Sequence, residues 1–242
     1  MHKSFASSPA IHESYNDAKA QNFYSTRVYG SFNQSYYIRF LEEIGIIKKG
    51  NEMQSRWVIG FTERPILQTW ASSKYLLYKG NARHLHAFGY DSLTQTGDIK
   101  IFRNRYFLPL GFGYDTYITA EDFKRLSPLN KDLLLLRAFV VDDKDIQNLQ
   151  GFKRFDIRDT LSNYDFPDYF RFAESRKADT LSLTLFSQNR IKGAISVDST
   201  KMLFLSIPYD KGWHATLDGK EVKPLICNIG FIGIPLTPGS HD

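Results

Sequence analysis

The part of the chain that most limits its possible folds is the C-terminal region, from about Leu181 onward. Short runs there alternate apolar and polar residues, and they cover residues 181–186, 191–197, 202–207, 213–217, 222–227 and 231–236. A period of two places the apolar side chains on one face of a strand. Asp218-Gly219 accepts the two positive φ angles of a type I′ hairpin turn. Short strands separated by such turns predict an antiparallel β-sandwich over residues 179–242.

The N-terminal region mixes helix and strand signals. Asn33 is placed to cap a helix that ends at Gly45, and Pro65 is placed to begin a second helix. Residues 75–78 form an apolar run that predicts a strand, with residues 57–61 as its partner. Thr96-Gly97 predicts a further hairpin turn between residues 88 and 103. This order of elements predicts an α/β subdomain over residues 1–105.

Residues 106–178 are predicted to connect these two parts. The apolar run 107–114 contains two glycines and a proline, which favour an edge or bulged strand. Thr119 and Asp122 form a capping-box pattern that predicts a helix from Ala120, and residues 130–136 continue as a helical segment. Aromatic residues make up 15% of the chain, which favours strands. The predicted class is α+β, with an N-terminal α/β subdomain followed by a C-terminal antiparallel β-sandwich.

Charge and cysteine content exclude several classes of function. The formal net charge is +5, but the basic residues are scattered, so nucleic acid is not a predicted partner. The positive balance suits anionic lipid head groups or a phosphate-bearing envelope polymer. The single Cys227 excludes an intrachain disulfide, and no zinc spacing occurs. No run approaches the roughly 20 apolar residues of a membrane helix, although a fragment of a longer protein would have lost such segments.

Several segments carry a resemblance to a known family. They are KYLL (residues 74–77), FLPLGF (107–112) with Asn104 before it, IPYDKGWHATLDGK (207–220), NIGFIGIPL (228–236) and PGSH (238–241). Together they resemble the C-terminal extracytoplasmic region of the bacterial YfhO membrane-protein family. The resemblance spans residues 74–241, and its last part is the most specific.

The resemblance implies a function and a location. YfhO-like proteins are similar to polytopic glycosyltransferases of the GT-C type, in which membrane helices flank an outward-facing domain. They are associated with transfer of sugars from a polyprenyl-phosphate carrier to envelope polymers such as teichoic acids, at the outer face of the cell membrane. The implied partners are the protein's own membrane helices, the lipid-linked sugar and the anionic polymer. The catalytic acid of such enzymes lies in a loop that this chain lacks, so no catalytic residue is carried over.

The candidate glycan-binding residues are aromatic or lie beside an aromatic residue. Trp213 follows a turn and can stack on a sugar ring, but Ala215 and Leu217 share its alternation phase, which favours a core tryptophan. Asp210 can bind a ligand or accept a backbone N–H within the turn. An aromatic segment between the two regions can line a glycan groove or join the subdomains, and it contains Tyr164, Phe166, Tyr169, Phe170 and Phe172. The predicted binding set is Tyr169, Tyr209, Asp210 and Trp213.

Two other clusters can carry chemistry. Asp142, Asp143 and Asp145 can act as a carboxylate pair or as metal ligands, but three acids after an apolar segment more often mark a turn. His84 and His86 in a strand-like stretch would point to one side as metal ligands, but they lack a third ligand nearby and are interpreted as surface residues. No GxGxxG, Walker, HExxH or GxSxG motif occurs, so no cofactor or metal is predicted. We expect the isolated chain to be catalytically silent.

Three functional hypotheses follow from different classes. The first is the outer domain of a GT-C-like membrane protein. The second is a free-standing carbohydrate-binding module, which would present an exposed row of aromatic residues on one sheet face. The third is a soluble glycosidase, which needs two carboxylates roughly 5–10 Å apart in one cleft.

Expectations about the chain's ends come from the same resemblance. It implies several hydrophobic segments of about 20 residues before Met1 and at least one after Asp242. It also implies a strand beginning at Ser240-His241, so we expect that an extension of about 8–10 residues beyond Asp242 raises thermal stability.

Overall fold

The computed structural model describes residues 2–6, 15–61, 63–160 and 166–242. The helices are α1 (Asp17–Ala20), α2 (Ser35–Glu43), α3 (Glu52–Arg56), α4 (Pro65–Trp70), α5 (Arg83–Ala87), α6 (Ala120–Lys124), α7 (Pro128–Leu135) and α8 (Phe166–Arg176), with 3-10 turns at Asp143–Asn148 and Ile157–Thr160. Tyr164 of the predicted aromatic segment lies outside the described residues. No helix in these ranges is both long and apolar enough to cross a membrane.

The strands of the N-terminal and middle parts are β1 (His2–Ala6), β2 (Val28–Tyr29), β3 (Trp57–Val58), β4 (Ser73–Lys79), β5 (Tyr90–Thr96), β6 (Ile99–Asn104), β7 (Gly111–Tyr114), β8 (Thr116–Thr119), β9 (Phe139–Val141) and β10 (Lys153–Arg154). The C-terminal strands are β11 (Ser182–Phe186), β12 (Ile191–Val197), β13 (Lys201–Pro208), β14 (Ala215–Leu217), β15 (Lys220–Val222), β16 (Leu225–Cys227), β17 (Phe231–Leu236) and β18 (Gly239–His241). Helices and mainly antiparallel sheets therefore combine as the predicted α+β fold.

The N-terminal sheet has the order β1-β4-β6-β5, and its β5–β6 hairpin turns at the predicted Thr96-Gly97. The predicted pairing of residues 57–61 with residues 75–78 is wrong, because β3 pairs with β2 while β1 and β6 occupy both edges of β4. Strand β3 ends at Val58 because Gly60 adopts a φ of +65°. A side chain at Gly60 would collide with Thr26, so this turn requires a glycine.

The helix boundaries largely follow their predicted capping residues. Pro65 is the first residue of α4, and the Thr119 hydroxyl accepts the Asp122 N–H at the start of α6. The cap of α2 differs from the prediction, because Gln34 accepts the Tyr37 N–H at 2.7 Å. The side chain of Asn33 instead donates to a backbone carbonyl near the end of α3.

The C-terminal sheets form the predicted sandwich-like arrangement around a central sheet of order β16-β17-β13-β7. Its edge strand β7 comes from the predicted connecting segment and lies at an edge, as its glycines and proline indicate. The second layer has the order β11-β12-β18, and β14–β15 is a hairpin. Asp218 and Gly219 have φ angles of +53° and +75°, which confirms the type I′ turn.

The alternation of β13 supplies side chains to two cores. Met202 and Phe204 enter a large core that also contains Trp70, whereas Leu203 and Leu205 enter a smaller aliphatic core on the opposite face. In the large core the indole ring stacks on Phe204, with ring centroids 4.7 Å apart. This core contains side chains from all three predicted segments, and the segment boundaries at residues 105 and 178 stay a prediction.

Candidate functional site

A groove of about 980 Å³ opens between the β11-β12-β18 sheet and the β14–β15 hairpin. The aliphatic core forms its apolar lining, with Ile195, Leu203, Leu205, Ile232 and Ile234. Apolar surface in a concave site is the usual main contributor to ligand binding, with a few polar groups that set orientation. The groove is therefore the candidate binding site of this region.

Polar side chains border the groove at the turn between β11 and β12. Asn189, Arg190 and Lys192 all line it and are exposed. Ser187 holds the turn, because its Oγ accepts the Arg190 N–H at 3.1 Å and donates to the Arg190 carbonyl at 3.0 Å. Within the described part of the chain, no ion pair engages either cation. Two cations are thus available for an anionic group of a ligand.

Trp213 is the predicted binding residue that lines this groove. Its ring is half-buried and packs against the aliphatic core. The buried part of the ring fits the interpretation as a core tryptophan, and the exposed part fits the interpretation as a ligand-stacking residue. The preceding turn sets its position, since the Trp213 N–H donates to the Asp210 carbonyl at 3.0 Å. The amphipathic indole can contact an apolar or ring-shaped ligand while its outer edge remains exposed to solvent.

Asp210 and Tyr209 lie in the same turn but do not line the groove. The Asp210 carboxylate accepts the Gly212 N–H at 2.9 Å, as its interpretation as a turn residue predicted. The Tyr209 carbonyl accepts a hydrogen bond from the Gln34 side chain, and its ring meets Tyr36 edge to face at 5.2 Å. Tyr209 thus anchors the turn to α2, and Asp210 holds the turn itself, which together position Trp213.

Tyr169 is buried and does not line the groove. Its side chain lies on α8 and is 1% exposed, and its hydroxyl oxygen is 2.6 Å from Oγ1 of Thr69. Burial raises the pKa of this phenol above its usual range. Its ring contacts Tyr106 and Phe170. The buried ring leaves no free surface for a glycan, and its contacts favour the alternative that this segment joins packed layers. The assignment of Tyr169 to glycan binding stays a prediction.

The sequence interpretation missed an ion pair that holds one wall of the groove. Nδ1 of His241 is 2.7 Å from an Asp218 carboxylate oxygen, and Nε2 is 2.8 Å from the Thr237 carbonyl oxygen. Both ring nitrogens lie beside acceptor oxygens. The two hydrogen bonds therefore form together only when both nitrogens are protonated, which makes the ring a positively charged imidazolium. The Asp218 carboxylate raises the pKa of His241, and the imidazolium lowers the pKa of Asp218. No local spacing reveals this pair, because it depends on β18 lying beside the β14–β15 turn.

The other predicted clusters do not assemble into a site. Asp142 caps the 3-10 turn that contains Asp143 and Asp145, which confirms the interpretation of these acids as turn residues. His84 and His86 lie on α5 and not on a strand, so their side chains diverge instead of pointing to one side. No group of three potential metal-ligating side chains occurs within the described ranges. Burial raises the pKa of the Cys227 thiol, which disfavours the reactive thiolate.

Comparison with known proteins identifies a family. The family model described as "Bacterial membrane protein YfhO" matches residues 7–167 and 154–242, which together cover most of the chain. No curated protein and no solved structure matches it.

Proposed function

Because the chain belongs to the YfhO family of bacterial membrane proteins, we propose that it is the extracytoplasmic domain of a polytopic glycosyltransferase-like protein. In this proposal the full protein transfers a sugar from a polyprenyl-phosphate carrier to a cell-envelope polymer such as a teichoic acid. The groove binds the lipid-linked sugar, and the bond-making groups belong to the membrane part. The domain acts by holding and orienting the donor beside that part.

The observation that carries this proposal is the combination of an apolar groove with unpaired cations at its border. A polyprenyl-phosphate sugar has three chemically distinct parts: an isoprenoid chain, a phosphate and a sugar ring. The aliphatic lining around Leu205 and Ile234 suits part of the chain, and Arg190 with Lys192 suits the phosphate. Trp213 supplies a ring for the sugar or for the first isoprene units.

Rough magnitudes indicate which contacts matter most. Burial of apolar ligand surface contributes about 25 cal/mol per Å², so even a short isoprenoid segment gains several kcal/mol before the costs of association. A hydrogen bond to a charged group contributes about 1.5–3 kcal/mol. Removal of both cations should therefore weaken phosphate-dependent binding by about tenfold or more.

The first experiment measures binding to the purified 242-residue chain by titration calorimetry. The three ligands are a short-chain polyprenyl phosphate sugar, the same polyprenol without phosphate, and the free sugar. We expect saturable binding of the first, weaker binding of the second, and little binding of the third. The reason is that the chain and the phosphate each meet a matching part of the groove.

Matched variants connect this binding to the groove. Arg190→Gln/Lys192→Gln should lose most of the phosphate-dependent affinity, whereas Lys124→Gln/Lys153→Gln removes the same charge from exposed positions elsewhere and should bind as the parent chain does. Trp213→Ala should weaken binding of the phosphate-bearing and phosphate-free lipids alike. The affinity losses of the Arg190→Gln/Lys192→Gln and Trp213→Ala variants are assigned to the groove only when the variants melt close to the parent chain.

Two outcomes would contradict the proposal. If the free sugar binds as tightly as the lipid-linked sugar and its binding depends on Trp213, the groove belongs to a carbohydrate-binding module. If no lipid-linked ligand binds, or if the control pair loses as much affinity as the groove pair, the groove is not a donor site.

A further inference from the structure

A second surface of the protein exposes large apolar side chains that the groove does not use. Phe32 is 97% exposed, Met53 is 67% exposed, and Trp57 and Tyr29 are 43% and 37% exposed. We call these four residues the aromatic patch. Single exposed apolar residues are common on protein surfaces, but a group of four indicates an interaction surface.

Hydrogen bonds of the backbone and of the Asn33 side chain hold the members of the aromatic patch together. Tyr29 and Trp57 are paired residues of β2 and β3, and their ring centroids are 4.2 Å apart. The Trp57 N–H donates to the Met53 carbonyl, so these side chains are one helical turn apart. Asn33, beside Phe32 in the chain, donates to the Ser55 carbonyl of α3 at 2.7 Å. The patch is thus built on a fixed frame and does not depend on one loose loop.

The chemistry of the aromatic patch fits the interfacial region of a lipid bilayer. Tyrosine and tryptophan combine an apolar ring with a polar group, and they concentrate where membranes meet water. Phe32 and Met53 carry no hydrogen-bonding group, so they gain only from an apolar environment. The rings of Tyr29 and Trp57 are inclined by 36°, which gives no flat platform for a sugar ring.

The charges beside the aromatic patch favour anionic head groups. Lys48 and Lys49 are exposed just before α3, and the Lys48 N–H donates to the Gln54 side chain of that helix at 2.7 Å. Neither lysine forms an ion pair in the described part of the chain. The nearby Glu42 carboxylate accepts the Gly50 N–H and offsets one of the two positive charges. The attraction to anionic lipid is therefore modest, and the apolar side chains provide the main contribution.

We propose that the aromatic patch docks into the head-group and upper acyl region of an anionic lipid bilayer, with Phe32 and Met53 inserted deepest. This inference goes beyond the proposed function, because it concerns another surface and uses no residue of the groove. Docking would orient the domain relative to the membrane in which its family resides. Attachment to membrane helices would raise the effective concentration at the bilayer, so weak intrinsic docking is sufficient.

The test measures sedimentation of the purified chain with vesicles of phosphatidylcholine containing a minor fraction of phosphatidylglycerol. Phe32→Ser/Met53→Ser should reduce the partition coefficient by about tenfold or more, because two inserted apolar side chains are lost. Leu93→Ser/Leu129→Ser is the matched control, since these leucines are 48% and 54% exposed at other places. Lys48→Gln/Lys49→Gln should weaken binding to the mixed vesicles but not to pure phosphatidylcholine.

A fluorescence measurement distinguishes insertion from surface adsorption. In a Trp213→Phe variant, Trp57 becomes the exposed tryptophan because Trp70 is completely buried. Lipids brominated near the head-group end of the acyl chain should quench its emission, and the Phe32→Ser/Met53→Ser change should abolish that quenching. The Trp213→Phe change alters the groove. Quenching that is retained in this variant therefore also shows that membrane docking does not depend on ligand binding in the groove.

The following results would overturn the proposal. The proposal fails if the parent chain does not bind the mixed vesicles, or if the control pair loses as much binding as the patch pair. Concentration-dependent dimers that vanish with Phe32→Ser/Met53→Ser, without vesicle binding, would assign the patch to a contact between copies of the chain. Binding of a lipid-free glycan that depends on Trp57 would assign it to carbohydrate recognition.

Discussion

The two faces of the central β16-β17-β13-β7 sheet differ in what they pack against. One face is closed by aromatic rings, and Trp70 lies stacked between Phe40 and Phe204 with no exposed surface. The other face carries aliphatic residues such as Leu205 and opens into the groove. Alternate residues of one strand therefore serve a closed core and an accessible site. The comparison teaches that strand alternation alone does not distinguish a stabilising face from a binding face.

The largest expected effect comes from opening the closed face. Trp70→Ala should lower the free energy of unfolding by about 4 kcal/mol, because it leaves a large cavity. It also removes the 2.9 Å hydrogen bond from the indole N–H to the Tyr114 hydroxyl. Urea unfolding measures the change. Trp213→Ala is the matched control, and it should cost much less because its ring is half-buried at the groove.

A smaller effect is expected from the face that lines the groove. Leu205→Ala should lower the free energy of unfolding by about 2 kcal/mol, at the lower end of the range for buried leucines. The reason is that the side chain borders an existing opening, which solvent can enter after truncation. The comparison is with Leu133→Ala in the large core, where the side chain is 2% exposed. If Leu205→Ala and Leu133→Ala lowered the free energy of unfolding equally, the distinction between an open and a closed core would be contradicted.

The smallest effect concerns the ion pair that ties the groove wall to β18. Because the fold raises the pKa of His241, its contribution to stability is complete below the ordinary histidine pKa of about 6.5 and is lost as the pH rises through the raised value. At acidic pH the contribution is lost when the pH falls through the lowered pKa of Asp218. The melting temperature should therefore decline from pH 6 toward pH 9, because this range begins just below the ordinary histidine pKa of about 6.5 and extends above it.

His241→Gln checks the origin of that decline, because glutamine keeps a donor but does not titrate. Melting curves over the same pH range should be flatter in this variant than in the parent chain. His214→Gln is the control, since His214 is exposed and lies 3.8 Å from Glu221. An unchanged slope in His241→Gln would place the titrating group elsewhere.

Local signals in the sequence predicted many elements correctly. Pro65 and Thr119 begin helices as their backbone chemistry requires, and Asp218-Gly219 forms its hairpin turn. The family resemblance, carried by the C-terminal motifs, is confirmed by the family match. These features depend on residues that are adjacent or nearly adjacent in the chain, so a linear pattern contains the needed information.

The candidate site was only partly predictable for a physical reason. Trp213 was predicted and lines the groove, whereas Tyr169 carries a similar aromatic signal and is buried. An aromatic side chain gains free energy both in a core and against a ligand, so its type does not determine its exposure. Exposure depends on which layers cover it.

The sequence by itself determined many of the elements, the α+β class and the family of this protein. Tertiary structure alone decided that β3 pairs with β2, that Arg190 and Lys192 border the apolar groove, and that His241 meets Asp218. The local features follow from backbone conformation and side-chain periodicity over a few residues. The strand pairing, the groove border and the ion pair depend on contacts between segments far apart in the chain, and these contacts form only when whole sheets pack together.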